Sequence, residues 1–267
     1  MATSLRVRLP YDIVGHIIDI LAAEGDLASV KNVSLTSSSL LHFCRRHIFH
    51  TIPFCTNTRS LKNPFIKLLS NSPAIVQYIR ELNFEVYYSD IKLSPLLPNL
   101  LHTISHLKCL RITSFIFNWT VMDPLLQSAL LHLMSLPSLT HFVISCMEYM
   151  PISAFAPCIN LEHLDIRYTT LAVFEDDECP SLQMSPSKTP RILEFKNVGS
   201  QRAVEELLRA KWNDGRPFLD FSHVKILELE FATFQDVQLT RELFENVSYL
   251  EDLKINGMFH FCQIFII

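Results

Sequence analysis

Leu107-Lys108-Cys109-Leu110-Arg111-Ile112 is the stretch whose reading decides the fold, because its pattern of apolar-x-x-apolar-x-apolar keeps returning. Copies run Ile79-Arg80-Glu81-Leu82-Asn83-Phe84, Leu139-Thr140-His141-Phe142-Val143-Ile144 and Leu161-Glu162-His163-Leu164-Asp165-Ile166. Two more run Val224-Lys225-Ile226-Leu227-Glu228-Leu229 and Leu250-Glu251-Asp252-Leu253-Lys254-Ile255, and a weaker one, Ile192-Leu193-Glu194-Phe195, lies between them. The last two apolar positions stand two apart, so they point to one face of a short strand. The segments between carry helical spacing, most clearly over 124–136 and 201–212.

A repeat period of roughly twenty to low thirties is the footprint of leucine-rich repeats, which residues 75–257 resemble. That resemblance implies an α/β leucine-rich-repeat-like solenoid whose parallel strands line a binding face. The family places asparagine or cysteine three positions after the last signature leucine. Tyr87, Phe115, Met147, Thr169, Ala232 and Met258 stand there instead, so no regular internal asparagine ladder is expected. The competing reading is one α/β domain with leucine-rich strands.

Upstream, Leu9 to Ile52 reads LPYDIVGHIIDILAAEGDLASVKNVSLTSSSLLHFCRRHIFHTI. Pro10 suits a helix start and Asp12 suits its first turn. Ile13, Val14, Ile17, Ile18 and Leu21 form a broad apolar stripe, and the helix is expected to stop near Gly25. Asp26 caps a second helix carrying Leu27, Val30 and Val33. The serine run at 37–39 leads to a third with Leu40, Cys44 and Ile48 on one face, widened by Leu41 and Phe49. A unit this small buries little on its own.

Taken in order, the Leu-Pro start, the Asp-Ile-Val entry, the Asn-Val-Ser-Leu segment and the Cys-Arg-Arg-His-Ile-Phe close resemble an F-box, in the variant common among fungal proteins. The resemblance implies a small all-α three-helix F-box that docks the Skp-type adaptor of an SCF ubiquitin ligase, and through it a cullin. Carried over residue by residue, Leu9, Pro10, Ile13, Ile17, Thr36 and Leu40 face the adaptor. Many F-boxes have valine and then tryptophan where this chain has Thr36 and Leu40. Loss of an aromatic anchor lowers the expected affinity.

The resulting organisation is 1–52 F-box, 53–74 helical linker, 75–257 repeat domain and 258–267 an apolar tail. The linker is expected to hold an amphipathic helix over 60–70 with Leu61, Phe65, Leu68 and Leu69 inward, stiffened by Pro53, Pro64 and Pro73. Acids at 175–178 followed by Pro180, Pro186 and Pro190 predict an exposed loop, in which Ser185-Pro186 and Thr189-Pro190 are candidate phosphorylation dipeptides. The tail, with no polar cap, leads to the expectation of a shortened chain.

Composition is globular: 49% hydrophobic and 19% charged over 267 residues. Twenty-three basic against 27 acidic residues give a net charge of -4, with no bias toward polyanions, so nucleic acid is not an expected partner. No run reaches the ~18 apolar residues of a membrane span and the start lacks a signal-peptide core, which predicts an intracellular protein, cytoplasmic or nuclear. The seven cysteines, Cys44, Cys55, Cys109, Cys146, Cys158, Cys179 and Cys262, form no CxxC pair and read as reduced core thiols. The Asn-x-Ser/Thr triplets at Asn32, Asn118 and Asn246 are accordingly not expected to be glycosylated.

Five scattered glycines build no phosphate cradle, and neither GxSxG nor HEXXH occurs. His102 and His106 have a metal-compatible spacing on a predicted helix but no third ligand, and are read as surface or packing residues. No catalytic residue, metal or cofactor is assigned. The expected function is that of a substrate-receptor subunit, with a non-SCF interaction scaffold as the alternative and an undetected hydrolase as a more distant one. Target recognition is expected from polar residues between the repeat leucines: Lys108, Arg111, His141, His163, Asp165, Lys225, Glu228 and Lys254 foremost, with Arg80, Thr140, Glu162 and Asn256 beside them.

Overall fold

The computed structural model describes residues 10–55, 64–86, 96–172, 189–212, 214–231 and 235–257. Helix α1 (Tyr11–Ala23) begins behind Pro10, whose carbonyl accepts the Val14 N–H at 3.2 Å. It ends in a left-handed cap: Gly25 has φ +81°, its N–H reaches the Ala22 carbonyl and the Asp26 N–H reaches that of Leu21. These two bonds satisfy carbonyls that the helix end would otherwise orphan. Asp26 then caps α2 (Leu27–Thr36) by accepting the Ser29 N–H at 3.0 Å. A single 3-10 turn over Ser38–Leu40 feeds α3 (Leu41–Ile48). Ile18, Val30 and Cys44 make the small core of these helices. Gly15 permits the closest approach, since a Cβ there stands 3.0 Å from the Phe43 ring.

The remaining strands and helices alternate: β1 (Thr51–Cys55), α4 (Pro64–Asn71), β2 (Glu81–Val86), α5 (Leu96–His102), β3 (Cys109–Asn118), α6 (Pro124–Met134) and β4 (His141–Glu148). Next come β5 (Met150–Pro151), β6 (His163–Arg167), β7 (Leu171–Ala172), β8 (Glu194–Val198), α7 (Gln201–Arg209), β9 (Ile226–Phe231), α8 (Gln235–Asn246) and β10 (Asp252–Gly257). Eight strands form one parallel sheet in the order β1-β2-β3-β4-β6-β8-β9-β10, while β5 and β7 pair separately. Within the large sheet each strand therefore lies beside its chain neighbour.

One hydrogen-bond device starts every strand of the large sheet after the first. The N–H groups of two successive residues converge on a single carbonyl of the preceding strand entry: Arg80 and Glu81 on His50, Lys108 and Cys109 on Arg80, Thr140 and His141 on Lys108. Glu162 and His163 on Thr140, Leu193 and Glu194 on Glu162, Lys225 and Ile226 on Leu193, and Glu251 and Asp252 on Lys225 continue it. Even the weak copy at 192–195 obeys the rule. The signature leucines then alternate inward, where Leu82, Phe84, Leu110, Ile112, Phe142, Ile144, Leu164, Ile166, Phe195, Leu227 and Leu229 join one core with the buried sides of α4 to α7.

The expected fold, a small all-α F-box followed by a solenoid, is corrected by this arrangement. The chain is an α/β fold organised on one large parallel sheet, which is the alternative the strand pattern left open. Within 53–74, residues 53–55 belong to the sheet: β1 begins at Thr51, pairs with β2 from Thr51↔Glu81 to Cys55↔Glu85, and buries Ile52 and Phe54. Phe65 and Leu69 of α4 enter the same core, whereas Leu61 lies outside the described residues. Phe49, at the end of α3, also packs into it, and His42 bonds the Tyr78 hydroxyl at 3.0 Å. The physical reason is edge satisfaction: a lone short strand leaves N–H and C=O groups unpaired on both sides, and lateral pairing satisfies them for every strand between the outermost β1 and β10.

The missing asparagine ladder has a substitute. Buried Ser114, Thr169 and Ser200 sit beyond or near strand ends, where Ser114 Oγ donates to the Cys146 carbonyl and accepts from Phe117 N at 3.3 Å. Ser200 Oγ accepts the Thr169 N–H at 2.8 Å and donates to the Val198 carbonyl at 3.2 Å. Hydroxyls thus satisfy backbone groups where the chain leaves the sheet. Of the positions tested for the ladder, Thr169 is in this network and Met147 is simply buried; Tyr87, Ala232 and Met258 are outside the described residues.

Candidate functional site

Two surfaces concentrate unpaired chemistry, one on the helices and one on the sheet. On α1 the broad apolar stripe divides. Val14, Ile18 and Leu21 turn into the helical core. Ile13, Ile17 and Ile20 repeat at i, i+4 and i+7 on a second face and remain 46%, 44% and 45% exposed. Tyr11, Leu27 and Leu35 are further exposed apolar residues of the same helical unit.

The expected adaptor residues fall as follows. Pro10 is exposed just before the face formed by Ile13 and Ile17. Thr36 is exposed at the end of α2, its hydroxyl donating to the Val33 carbonyl at 2.8 Å, and Leu40 is half-buried. Leu9 lies outside the described residues. Ile20 and Leu35 escaped the reading of the sequence, although the i+7 spacing from Ile13 already marked the first of them. A polar clamp holds this unit in shape: Asp19 of α1 accepts from Arg46 of α3 and from His47 Nε2 at 2.7 Å. Burial works to raise the Asp19 pKa, but the hydrogen bonds from His47 and Arg46 and their charges outweigh it and hold the carboxyl below its ordinary value.

On the sheet, the face opposite the helices carries the residues that the alternation turns outward. Strand pairing arranges them in rows: Cys109, His141, His163 and Glu194 stand side by side on β3, β4, β6 and β8. The next row is Arg111, Val143, Asp165, Lys196 and Glu228, and the third is Thr113, Ser145 and Arg167. Because β4 contributes the short Val143 and Ser145 beyond His141, between longer neighbours, an open trough of about 420 Å³ forms over it.

Charges in the trough are knitted across strands. Arg111 reaches Glu81 and Asn83 at 3.2 Å, and Arg167 holds both oxygens of Asp165 at 2.9 and 2.6 Å. Lys196 bridges Glu194 and Glu228 at 3.2 Å each. His163 Nδ1 donates to Glu194 at 2.8 Å, and its ring stacks on His141 with centroids 3.9 Å apart. Desolvation, and then the neighbouring His163, lower the His141 pKa below its ordinary value. Burial pushes the Glu194 carboxyl up, but its hydrogen bonds to His163 and Lys196 prevail and bring it below its ordinary value.

At the C-terminal rim the backbone is strained. Cys146, Tyr149 and Tyr168 have φ of 57°, 54° and 47°, and both tyrosines are exposed directly after β4 and β6. Non-glycine residues in this region persist only where surrounding structure holds them.

Of the eight foremost expected recognition residues, Arg111, His141, His163 and Asp165 come together in the trough, Glu228 adjoins it through Lys196, and Lys254 lies in the same row on the outermost strand. Lys108 and Lys225 do not join them. They occupy strand entries, where their carbonyls receive the paired N–H groups of the next strand. Arg167, Glu194 and Lys196 were missed; the outward parity of Arg167, two residues past Asp165, was a usable signal. His102 and His106 are separated, since α5 ends at His102, whose ring instead meets His132 at 4.8 Å. Among the described residues no cluster of three histidine, cysteine or acidic side chains is arranged to hold a metal, and no helix is long and apolar enough to cross a membrane. The 175–178 acids, Ser185, Pro186 and the tail lie outside the described residues.

No family model matches this chain, and no curated protein sequence matches it.

Proposed function

We propose that this protein is a substrate-receptor subunit of an SCF-type ubiquitin ligase, with the helices resembling an F-box docking a Skp-type adaptor and the outward sheet face holding a protein target. The observation that carries the proposal is the second apolar face of α1. Three isoleucines in register, each about half exposed, are costly to leave in water and gain most when a partner covers them. The Asp19, Arg46 and His47 clamp supports the same reading, since it presets the packing of α1 on α3 and lowers the ordering cost of association. On this reading the chain supplies no nucleophile and no cofactor site, ubiquitin transfer belonging to other subunits, and the adaptor brings the cullin.

The test is direct binding of full-length protein to a purified Skp-type adaptor by biolayer interferometry, beside the I13S/I17S/I20S variant. Binding by the wild type that the variant loses is the expected result. Absence of binding by a folded wild-type chain overturns the receptor reading.

A further inference from the structure

We infer that β10 is a dimer interface: a second copy of this chain pairs with it, strand against strand, about a two-fold axis at Leu253. The two edges of the large sheet are built differently. On β1 the His50 carbonyl takes the Glu81 N–H, so the alternation of a parallel ladder turns Pro53 to the free side, where its missing N–H interrupts the edge. β10 has neither proline nor bulge. Its register with β9 runs unbroken from Asp252↔Ile226 to Gly257↔Phe231, and all six of its residues are exposed.

This open edge offers both backbone and apolar surface. The Asp252 N–H goes to the Lys225 carbonyl, so the same alternation turns the N–H and C=O groups of Leu253 and Ile255 away from β9, to the free side. Their side chains are 41% and 49% exposed, whereas Leu227 and Leu229, their register partners on β9, are buried. A strand laid alongside satisfies those backbone groups and covers both side chains.

Charge identifies the occupant as a second copy. A two-fold axis normal to the sheet runs the two β10 strands antiparallel and keeps their leucine faces on one side, so the contact is isologous. With the axis at Asp252, aspartate meets aspartate; at Lys254, lysine meets lysine, and like charges directly opposite repel. With the axis at Leu253, each Asp252 stands opposite Lys254 of the other copy, and the two Leu253 residues exchange both of their N–H···O bonds. An axis at Ile255 leaves Lys254 opposite the uncharged Asn256. Asp252 and Lys254 are about half exposed and 3.6 Å apart within their own strand, so both carry their charges at this edge. β10 is thus complementary to itself, and its charges select the register.

The experiment is analytical ultracentrifugation of the full-length protein over a concentration series, and the wild type is expected to sediment as a dimer. D252K and K254D each set like charges opposite one another at both pairs. Each should weaken dimerisation at least tenfold while keeping the wild-type circular dichroism spectrum. An equimolar mixture of the two variants should restore the dimer, because each then faces the opposite charge. I13S/I17S/I20S should leave the dimer intact, which separates this interface from the exposed face of α1. A dimer that neither charge variant weakens, or one that I13S/I17S/I20S abolishes, overturns the inference. A monomeric wild type overturns it as well, and a urea midpoint lowered by L253D in that monomer would assign the cover of β10 to residues 258–267 instead.

Discussion

Two isoleucines one residue apart on α1 should behave as opposites when substituted. Ile18 is buried against Val30 and Cys44 in a core that, among the described residues, has no other fully buried apolar side chain, so Ile18→Ala leaves a cavity with little to collapse into it. Such truncations cost about 2–5 kcal/mol, and about 3 is the expected value here. Ile13, Ile17 and Ile20 are each near half exposed, so replacing one of them by serine removes only the covered half of one side chain and should cost about 1 kcal/mol in folding. On docking, the still-exposed half of each isoleucine is worth about 1 kcal/mol. The triple variant should therefore lose about 3 kcal/mol of adaptor binding, roughly 150-fold in Kd. Urea denaturation with hydrogen exchange reads the first effect, and biolayer interferometry the second. Because the helical core is separate from the main core, protection should drop in α1 to α3 while β2 to β9 keep theirs. If Ile17→Ser unfolds as readily as Ile18→Ala, the division of α1 into a folding face and a docking face is wrong.

Three further outcomes follow from the sheet. Gly199 has φ +60°, and a Cβ there stands 2.6 Å from the Tyr168 ring. Gly199→Ala should cost about 2 kcal/mol, falling to about 1 when Tyr168→Ala removes the clash and only the left-handed backbone penalty remains; a double-mutant cycle in urea measures the difference. Ser200→Ala strips the buried Thr169 N–H of its acceptor and should cost about 1–3 kcal/mol in thermal unfolding, whereas Ser39→Ala on the exposed serine run should not move the midpoint. Finally, His141 faces Arg111, Glu162, His163 and Glu194, and its folded pKa lies below the ordinary 6.5. The unfolded chain then takes up the proton first, so stability is complete above about pH 6.5 and declines as the pH falls below it. His141→Gln should flatten that part of a pH series of urea midpoints, and an unchanged slope would remove His141 as its source.

Much of this architecture was legible because it rests on local rules. Parity alone turns Leu110 and Ile112 inward and Arg111 outward, and the same parity holds at the copies on β2 to β9, while Leu253 and Ile255 of the last copy stay exposed on β10. Asp26 and Gly25 announced the α1–α2 junction through chemistry that acts within a few residues. Less legible was the division of the apolar stripe on α1, since Ile17 and Ile18 are equally hydrophobic and only the position of α2 and α3 decides which is covered. Nor did Ile52-Pro53-Phe54 advertise a strand. Its proline suggested a break, yet as an outermost strand β1 needs hydrogen bonds on one side only.

The sequence by itself determined the period of the strands, the inward leucines, the helix caps and the absence of a phosphate cradle or nucleophile motif, because each depends on residue type at short spacing. Only the tertiary structure decided that eight of the ten strands, from β1 to β10 without β5 and β7, close ranks into one parallel sheet with the helices continuous with it. It alone also set His141 on His163, Arg167 on Asp165 and Lys196 between two acids. His141 and His163, and Lys196 and Glu228, come from adjacent strands and meet through the ladder register, which the hydrogen bonds of the whole sheet select together, whereas Arg167 and Asp165 share one face of a single strand.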